Sequence, residues 1–193
     1  MSATALRSPA TGERHAEGRC QNRTVATTGG FHESRVEVTP ASPYRLPLAG
    51  GVDGTLRRRG NVLERLLHHH GDRHGGDEEL RGRAGDGRTG DSEPVVVRVA
   101  QTAPDAVLFG ARARTPEAAG YGIERMRFAL GVDDDLSAFH KRFARDPLIG
   151  RSVRERPWLR VRRRPEPFEA LAWAICEQLI EFERAAAIQR RIV

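Results

Sequence analysis

The sequence predicts an α+β fold, in which a small antiparallel sheet with helices precedes the first helices of an all-α domain. Residues 94–99 and 106–111 are strand-like runs, the first rich in β-branched valine, and the short turn between them is typical of an antiparallel hairpin. Residues 116–130 carry the start and stop signals of a helix. Residues 165–193 repeat apolar side chains at helical spacing. Together these stretches predict a sheet backed by one helix, with more helices after it.

Composition limits how much of the chain can be packed. At 193 residues and 38% hydrophobic content, one core cannot extend over the whole sequence. We therefore predict a disordered tail over residues 1–41 and an α+β domain over 42–131 with a flexible insertion at 71–92. The start of an all-α domain is predicted over 132–193.

The tail and the insertion are polar segments with few apolar residues. Residues 1–41 are rich in Ser, Thr, Gly, Arg and Glu, and residues 71–92 in glycine and in charges of both signs. Such segments bury too little apolar surface to offset the entropy of ordering them. The tail can also reflect a start codon assigned too far upstream.

The region before the hairpin gives weaker signals. Residues 43–48 alternate like a strand, and glycine pairs after them mark turns. Leu63, Leu66 and Leu67 are expected to supply a buried face. The pattern leaves open whether residues 61–70 form a helix or a strand.

The predicted helices have recognisable caps. Thr115 can cap a helix that begins at Pro116 and stops at Gly131. Residues 133–135 are three acids that are expected to cap a second helix rather than to act as an acid or base, and Asp146 caps a third, shorter one.

The last stretch is predicted to be one core-facing helix that begins near Pro167 and runs uninterrupted to Val193, where the pattern is still running as though the chain were cut. The apolar side chains predicted to form its buried stripe are Phe168, Ala172, Ile175, Leu179, Phe182 and Ala186.

Charge favours a polyanionic partner. The formal net charge is +6, and residues 151–164 hold seven arginines, among them Arg162, Arg163 and Arg164, against one acid. Guanidinium groups bind phosphates through forked hydrogen bonds, so a duplex-binding edge is one interpretation. A solvated connector whose arginines pair with residues 133–135 and other acids is the other. Trp158, within this run, is expected to pack in a core rather than to stack on a base.

Other chemistry and other compartments are not favoured. Neighbouring histidines at 68–70 would point to opposite faces of a strand and have no partners at metal-ligand spacing. With Cys20 and Cys176 the only cysteines, a disulfide framework is not expected. The sequence has no membrane-spanning apolar run and no apolar signal segment. These features predict a soluble protein of the cytoplasm.

The residue order of the last stretch resembles a known family. Residues 168–170, 174–179 and 185–186 are similar to the opening helices of the helix-hairpin-helix DNA glycosylases, and most similar to the 3-methyladenine DNA glycosylase II branch. The resemblance extends over residues 44–193. It implies a small antiparallel-sheet domain first, a domain junction near residues 145–164, and then the glycosylase core.

The resemblance also implies residue roles. Gln178 corresponds to the glutamine that contacts the DNA minor groove, and Leu179 to the wedge that fills the gap when a damaged base is flipped out. The family usually has Gly before that glutamine, whereas this chain has Glu177, whose carboxylate would weaken binding if it faced phosphate. Trp173 and Phe182 are candidates for the wall of the base pocket, although core packing is the stronger expectation for Phe182.

By this resemblance the full-length protein would hydrolyse the N-glycosidic bond of alkylated bases during base-excision repair. An Asp carboxylate would stabilise the oxocarbenium-like sugar, and no metal or cofactor is implied. The hairpin and that Asp are expected beyond Val193, so no catalytic residue is assigned and these 193 residues alone are expected to be inactive. The expected partner is double-stranded DNA containing alkylated bases, bound by a monomer in the bacterial cytoplasm or nucleoid, with no membrane. The alternative is a noncatalytic basic module that binds nucleic acid or a protein.

Overall fold

The computed structural model describes residues 20–26, 30–47, 54–71, 92–178 and 180–192. Its described strands form one antiparallel sheet in the order β1-β2-β6-β5-β4-β3. The strands are β1 (Cys20–Ala26), β2 (His32–Val38), β3 (Leu56–Arg59), β4 (Val62–His70), β5 (Ser92–Ala103) and β6 (Ala106–Ala113). The helices are α1 (Pro116–Leu130), α2 (Ser137–Phe143), α3 (Gly150–Glu155), α4 (Pro167–Cys176) and α5 (Phe182–Ile192).

One face of the sheet is buried. The pairing sets Leu63 opposite Val99, Val99 opposite Phe109 and Phe109 opposite Val36, so these four side chains form one apolar row across four strands. Leu63, Val99 and Phe109 have no exposed surface. Along β2, β4, β5 and β6 the alternate residues face the other side of the sheet, as expected for an antiparallel sheet covered on one side.

Helix α1 covers the buried face. Thr115 begins it by accepting a hydrogen bond from the Ala118 amide at 3.2 Å, and Gly131 ends it in the left-handed conformation with φ 60°. At Gly122 the helix approaches the sheet so closely that a Cβ atom there would lie 2.6 Å from the Val95 Cγ1 atom. Alanine at this position would therefore force the helix away from the sheet.

Glu93, near the start of β5, holds the beginning of α1. Its carboxylate accepts hydrogen bonds from the Thr115 amide and hydroxyl, both at 2.8 Å, and from the Arg114 amide. Burial alone would raise the pKa of Glu93, but these hydrogen bonds outweigh it and the pKa is lowered. The start of α1 is thereby attached to the start of β5 through hydrogen bonds to a carboxylate.

An extended segment, residues 42–47, closes the core beside α1. Tyr44 and Leu46 are buried in the same cluster as the sheet residues. The Gln101 side chain takes the place of a neighbouring strand, because its Oε1 atom accepts from the Leu46 amide at 2.9 Å and its Nε2 atom donates to the Tyr44 carbonyl at 3.2 Å. Alternate residues of this segment are buried, as its sequence predicted, although the segment forms no backbone ladder with a strand.

The coarse fold prediction is confirmed: the protein is α+β, with an antiparallel sheet and helices after it. β5 and β6 form the predicted hairpin, and α1 has the predicted cap, start and stop. Residues 61–70, which the sequence left open, are strand β4. Leu63 and Leu67 are buried as predicted, but Leu66 is 53% exposed because it points to the opposite face of the strand.

The prediction of a disordered tail over residues 1–41 is wrong for two segments. β1 and β2 form a hairpin, and β2 pairs with β6 along its whole length. The sequence of β2 has few apolar residues, yet Val36 and Val38 are buried because β6 supplies their partners. Most of the predicted insertion, residues 72–91, lies outside the described residues, as do residues 1–19.

The prediction of one continuous C-terminal helix is also wrong. The helix ends at Cys176, and α5 starts at Phe182. The predicted stripe is largely exposed rather than buried, with Phe168 at 73%, Ile175 at 59% and Phe182 at 55%. The buried side of α4 carries Glu169 and Trp173 instead, one residue further along the same spacing, because that side meets both α5 and the sheet.

A buried ion pair attaches α4 to the sheet. Arg65 of β4 donates to the Glu169 carboxylate from one terminal nitrogen and to the Thr55 hydroxyl from the other, at 2.9 Å. Glu169 also accepts from Arg164 at 3.0 Å. Both Arg65 and Glu169 are at least nine-tenths buried. A charge in this position is tolerated only while its partner is present.

We predict that Glu169→Leu lowers the free energy of unfolding by about 3 to 5 kcal/mol, since it leaves Arg65 buried without its carboxylate. The control is Glu155→Leu, which removes the carboxylate of the exposed pair with Arg151 at 2.8 Å and should cost less than about 1 kcal/mol. Urea unfolding of both variants measures the difference. Equal losses would mean that the buried pair contributes no more than a surface pair.

From the burial of Tyr44 we predict that the protein loses stability at alkaline pH. Burial raises its pKa from 10.0 to about 12, against the opposing charges of Arg160 and Arg162. A folded-state pKa above the unfolded one stabilises the protein below pH 10, and that contribution, on the order of 2 to 3 kcal/mol, is lost as the pH rises from about 10 to about 12.

Tyr44→Phe should remove this dependence. At neutral pH the variant loses about 1 kcal/mol with the hydrogen bond from the Tyr44 hydroxyl to the Leu130 carbonyl. Between pH 10 and 12 its stability should fall less steeply than that of the wild type, so that the two curves approach and cross. Parallel curves over this range would contradict the assignment.

Candidate nucleic-acid interface

The residues that the sequence singled out lie in the connector after α3 and in the α4–α5 hairpin. The connector is fixed to α1 where α4 begins. The Arg125 guanidinium donates to the Pro165 carbonyl, with the Nε atom at 2.6 Å, and the Tyr121 hydroxyl donates to the Glu166 carboxylate at 3.2 Å. Burial and the nearby Glu166 charge raise the pKa of Tyr121, so the phenol remains a donor at neutral pH. The start of α4 is therefore held on α1 by two polar contacts.

The hairpin closes over a small apolar cluster. Trp173 of α4 packs with Ala185 and Ala186 of α5, and Cys176 and Ile180 cover the cluster from the turn. The two alanines let the helices approach closely around the indole. Trp173, which is 4% exposed, serves this packing and is not open to a base.

Phe182 and Arg164 extend the indole into a stack. The Trp173 and Phe182 rings are stacked with centroids 6.1 Å apart and an angle of 24° between their planes. The Arg164 guanidinium carbon lies 4.3 Å from the Trp173 ring centroid. The structure thus brings together three of the predicted residues, but only Phe182 presents a large exposed ring.

Gln178 lies in the turn between the two helices. Its side chain is exposed. Its backbone amide donates to the Ile175 carbonyl at 3.2 Å, and this hydrogen bond closes the end of α4. Glu177 is the exposed residue that caps this helix end. Leu179, the predicted wedge, lies outside the described residues. The turn presents the Gln178 side chain and the carboxylates of Glu177 and Glu181 to solvent, and the exposed ring of Phe182 follows it.

The three predicted DNA-binding arginines have different surroundings. Arg162 is exposed. Arg163 forms an ion pair with Asp134 at 3.0 Å and donates to the Phe128 carbonyl at 3.2 Å. Arg164 pairs with Glu169. Two of the three therefore match the interpretation of a connector whose arginines pair with nearby acids, and Arg162 is the one exposed to solvent.

Arg163 completes the C-terminal end of α1. Its amide donates to the Ala129 carbonyl at 3.1 Å, and its guanidinium reaches the Phe128 carbonyl in the same turn. These carbonyls have no partner within the helix and need donors from elsewhere. The positive charge also suits the negative end of the helix dipole. This residue contributes to folding through contacts that spacing in the sequence does not reveal.

A cleft of about 240 Å³ lies beside the same helix end. Two of its three acids have cationic partners, since Asp133 accepts from Arg127 at 2.7 Å and Asp134 from Arg163. Gly131 forms part of its wall, and a Cβ atom there would lie 2.7 Å from an Asp134 oxygen. Both arginines of the cleft are therefore occupied by its own carboxylates, and its geometry favours no particular ligand.

The remaining acids of the sequence prediction accept backbone hydrogen bonds just before α2 and α3, but the predicted caps are wrong, because the N-cap residues are Leu136 and Ile149 and neither makes a side-chain cap hydrogen bond. Asp135 accepts from the Ser137 amide at 2.9 Å, and Asp146 from the Leu148 and Ile149 amides at 2.9 and 3.0 Å. These hydrogen bonds lower the pKa of both carboxyl groups. Within the described ranges no three metal-ligating side chains come together, and the His69 ring lies against Tyr121 with centroids 5.0 Å apart.

The other aromatic of the arginine run, Trp158, is half-buried. The Arg45 guanidinium carbon lies 5.7 Å from its ring centroid. Arg160, two residues later, donates to the Ser42 hydroxyl at 2.7 Å and is half-buried, which lowers its pKa. The run is therefore attached to the extended segment at several points and is not a free loop.

Sequence reasoning missed Arg65 and Glu169. Glu169 lies in the 168–170 segment of the resemblance but was given no role, and Arg65 occupies a strand position between Leu63 and Leu67 that pattern would assign to an apolar residue. A charged residue on the buried side of a strand was the available signal, since such a residue needs a partner.

We predict that Arg163→Ala and Arg162→Ala differ in their effect on the free energy of unfolding. Arg163→Ala removes an ion pair and a helix-end donor and should lower the free energy of unfolding by roughly 1 to 2 kcal/mol. Arg162→Ala, an exposed control in the same segment, should change it by less than about 0.5 kcal/mol. Thermal and urea unfolding measure both. A larger loss for Arg162→Ala would contradict the assignment of Arg163 to the α1 terminus.

Comparison with protein-family models, with curated proteins and with solved structures finds no match. Among the described helices, none has the length and apolar character that crossing a bilayer requires.

Proposed function

We propose that this chain is the N-terminal part of a base-excision repair protein of the 3-methyladenine DNA glycosylase II type, which hydrolyses the N-glycosidic bond of alkylated bases. The observation that carries the proposal is the position of Gln178. The resemblance expects a DNA-contacting glutamine where the first two core helices meet, and Gln178 is exposed in the turn between α4 and α5. Sequence periodicity alone predicted an uninterrupted helix there, so this turn is independent support.

The order of the elements also supports the proposal. An antiparallel sheet with one covering helix comes first, and the short helix α3, which follows a turn at Asp146, leads to α4 and α5. The resemblance implies the same order, with a helix-hairpin-helix core beginning at α4. In this proposal Gln178 contacts the minor groove of double-stranded DNA and Leu179 is the wedge. Arg162 supplies an exposed cation for a phosphate nearby.

The exposed ring of Phe182 is suited to contact a flipped base. An electron-rich aromatic face attracts a cationic alkylated purine by stacking and cation–π attraction. Phe182 rests on Trp173, and the Arg164 guanidinium also lies against the indole. In this proposal Trp173 and Arg164 hold Phe182 in place without touching the base themselves. The carboxylate that stabilises the sugar is assigned to no residue of this sequence.

The test of the proposal uses Gln178→Ala and duplex DNA with or without an abasic-site analogue. Only the abasic duplex leaves a gap for the turn to enter, so the variant should lose roughly tenfold affinity for it and much less for intact duplex. Glu181→Ala, an exposed substitution in the same turn, is the control. Fluorescence anisotropy measures both affinities. Equal weakening on the two duplexes would remove the support that Gln178 gives.

Base release decides the enzymatic part of the proposal. Methylated duplex DNA is incubated with the protein expressed from its complete reading frame, and released 3-methyladenine is measured by chromatography. Release above the uncatalysed rate is the expected result. Absence of release together with salt-dependent binding would favour the noncatalytic nucleic-acid-binding module instead.

One observation favours the alternative role of a protein-interaction module. The outer side of α4 exposes Phe168, Leu171 and Ile175, each more than half accessible. Contiguous exposed apolar side chains are typical of surfaces that another polypeptide covers. A glycosylase core would cover them with its further helices, so base release by the complete protein also separates these two roles.

A further inference from the structure

The face of the sheet that α1 leaves open carries a row of arginines running across the strands. Arg35 of β2 is paired with Gly110 of β6, and Gly110 with Arg98 of β5. Arg98 is paired with Glu64 of β4, and Glu64 with Arg57 of β3. Residues directly opposite one another in a sheet project from the same face, so this is one continuous row over five strands.

The arginines of this row are available to a ligand. The side chains of Arg35 and Arg98 are 58% and 67% exposed, and Arg57 is also exposed. Arg98 pairs with Glu64 at 2.8 Å, and Arg35 with Glu33 at 3.6 Å. Exposed ion pairs of this kind contribute only about 0 to 1 kcal/mol, so a phosphate can displace them at little cost.

The row spans the sheet from β2 to β3. Strand spacing of about 4.8 Å makes this distance about 19 Å, comparable to the width of a DNA duplex. The row therefore distributes three guanidinium groups over a length that suits a polyanion.

Gly110 makes an opening in the middle of the row. A Cβ atom built there would meet nothing within 4 Å, so no neighbouring side chain fills the space above the glycine. Glycine within a strand weakens the strand and often marks a position where another backbone comes close. Arg35 and Arg98 stand on either side, about two strand spacings apart. The arrangement is a shallow depression with a guanidinium group on each side.

The open face is poor in aromatic rings. In the parts of the chain that the structure describes, its rings are Phe31, which the Arg112 guanidinium carbon approaches to 4.5 Å, and the imidazoles of His68 and His70. None of these lies in the arginine row. Proteins that bind single strands combine a basic groove with successive stacking side chains. A basic row without such rings fits the backbone of a duplex better.

We propose that this open face binds the phosphate backbone of duplex DNA, with one backbone crossing the strands over Gly110 between Arg35 and Arg98 and continuing toward Arg57. This contact is lesion-independent and separate from the α4–α5 turn. It rests on the proposed function only for the choice of DNA as the polyanion. The sheet then adds affinity for any duplex, whereas the turn distinguishes damaged sites.

The test compares two triple variants that remove the same charge. One is Arg35→Ala, Arg57→Ala and Arg98→Ala; the control is Lys141→Ala, Arg142→Ala and Arg145→Ala, which are exposed on and beside α2. Binding to an unmodified fluorescent duplex is measured over a range of salt concentrations. The sheet variant should lower the slope of log affinity against log salt by about 2 to 3 and weaken binding at least tenfold, because each phosphate contact contributes about 0.9 to the slope.

The control variant should leave the slope nearly unchanged. Equal changes in the two variants would mean that net charge alone is responsible and would overturn the proposal. Far-UV circular dichroism and thermal unfolding establish that each variant is folded, which is expected because all six side chains are on the surface.

Gly110→Val tests the position of the DNA without changing charge. Valine suits a strand, and its Cβ atom meets nothing within 4 Å here, so the fold should be retained while the depression between Arg35 and Arg98 is filled. Duplex binding should weaken severalfold. Unchanged binding would overturn the close approach at Gly110, and tighter binding of a single strand of equal length would overturn the duplex assignment.

The result is distinguishable from the fate of the glycosylase proposal. If the sheet variant loses salt-dependent duplex binding although the complete protein releases no base, the open-face proposal stands and the glycosylase proposal fails. If base is released and the sheet variant binds unmodified duplex like the control, the glycosylase proposal stands and the open-face proposal fails.

Discussion

The burial of one sheet face beneath a single helix is the constraint on which the rest of the structure depends. α1 contacts the four inner strands and approaches them through Gly122, where Val95 and Val97 leave no room for a Cβ atom. A helix is about 10 Å wide with its side chains, whereas five strand spacings amount to about 24 Å. One helix therefore cannot cover six strands, and other parts of the chain must close the margins of the core.

The margins are closed by two different means. Beside the end of α1 the extended segment brings in Tyr44 and Leu46, held by the Gln101 side chain. At β4 the covering element is α4, and its contact is the buried pair of Arg65 and Glu169. α5 then packs on α4 around Trp173. Within the described residues the position of the α4–α5 turn thus depends on a polar contact at the edge of an apolar core.

Local signals in the sequence predicted the elements that local interactions stabilise. The β5–β6 hairpin and α1 carry β-branched residues, a turn, a cap and a terminal glycine, and each formed as expected. β2 could not be predicted in this way, because its burial depends on β6, a partner distant in sequence. The break after Cys176 has no glycine or proline to mark it.

The face of α4 that becomes buried was mispredicted for a similar reason. Two adjacent stripes on this helix are both apolar enough to be a core face, and the choice between them is made by Arg65 and by α5. The spacing of apolar residues shows the period of a helix, but it does not show which other element packs against which side of that helix. For the candidate site, the exposed position of Gln178 followed from the resemblance rather than from spacing. The arginine row on the sheet requires the strand order, because its three arginines come from three separate strands.

The pairing of β2 with β6 bears on the order in which the protein folds. β5 and β6 are joined by a tight turn, whereas Val38 meets Val107 only after a long intervening stretch of chain has closed into a loop. Closing a long loop has an entropic cost that local hairpins avoid, and folds with many distant contacts form more slowly. The β1–β2 hairpin should therefore dock last, onto a β6 edge that is already formed. Until then that edge has unpaired backbone groups and could pair with another strand, including one from a second molecule.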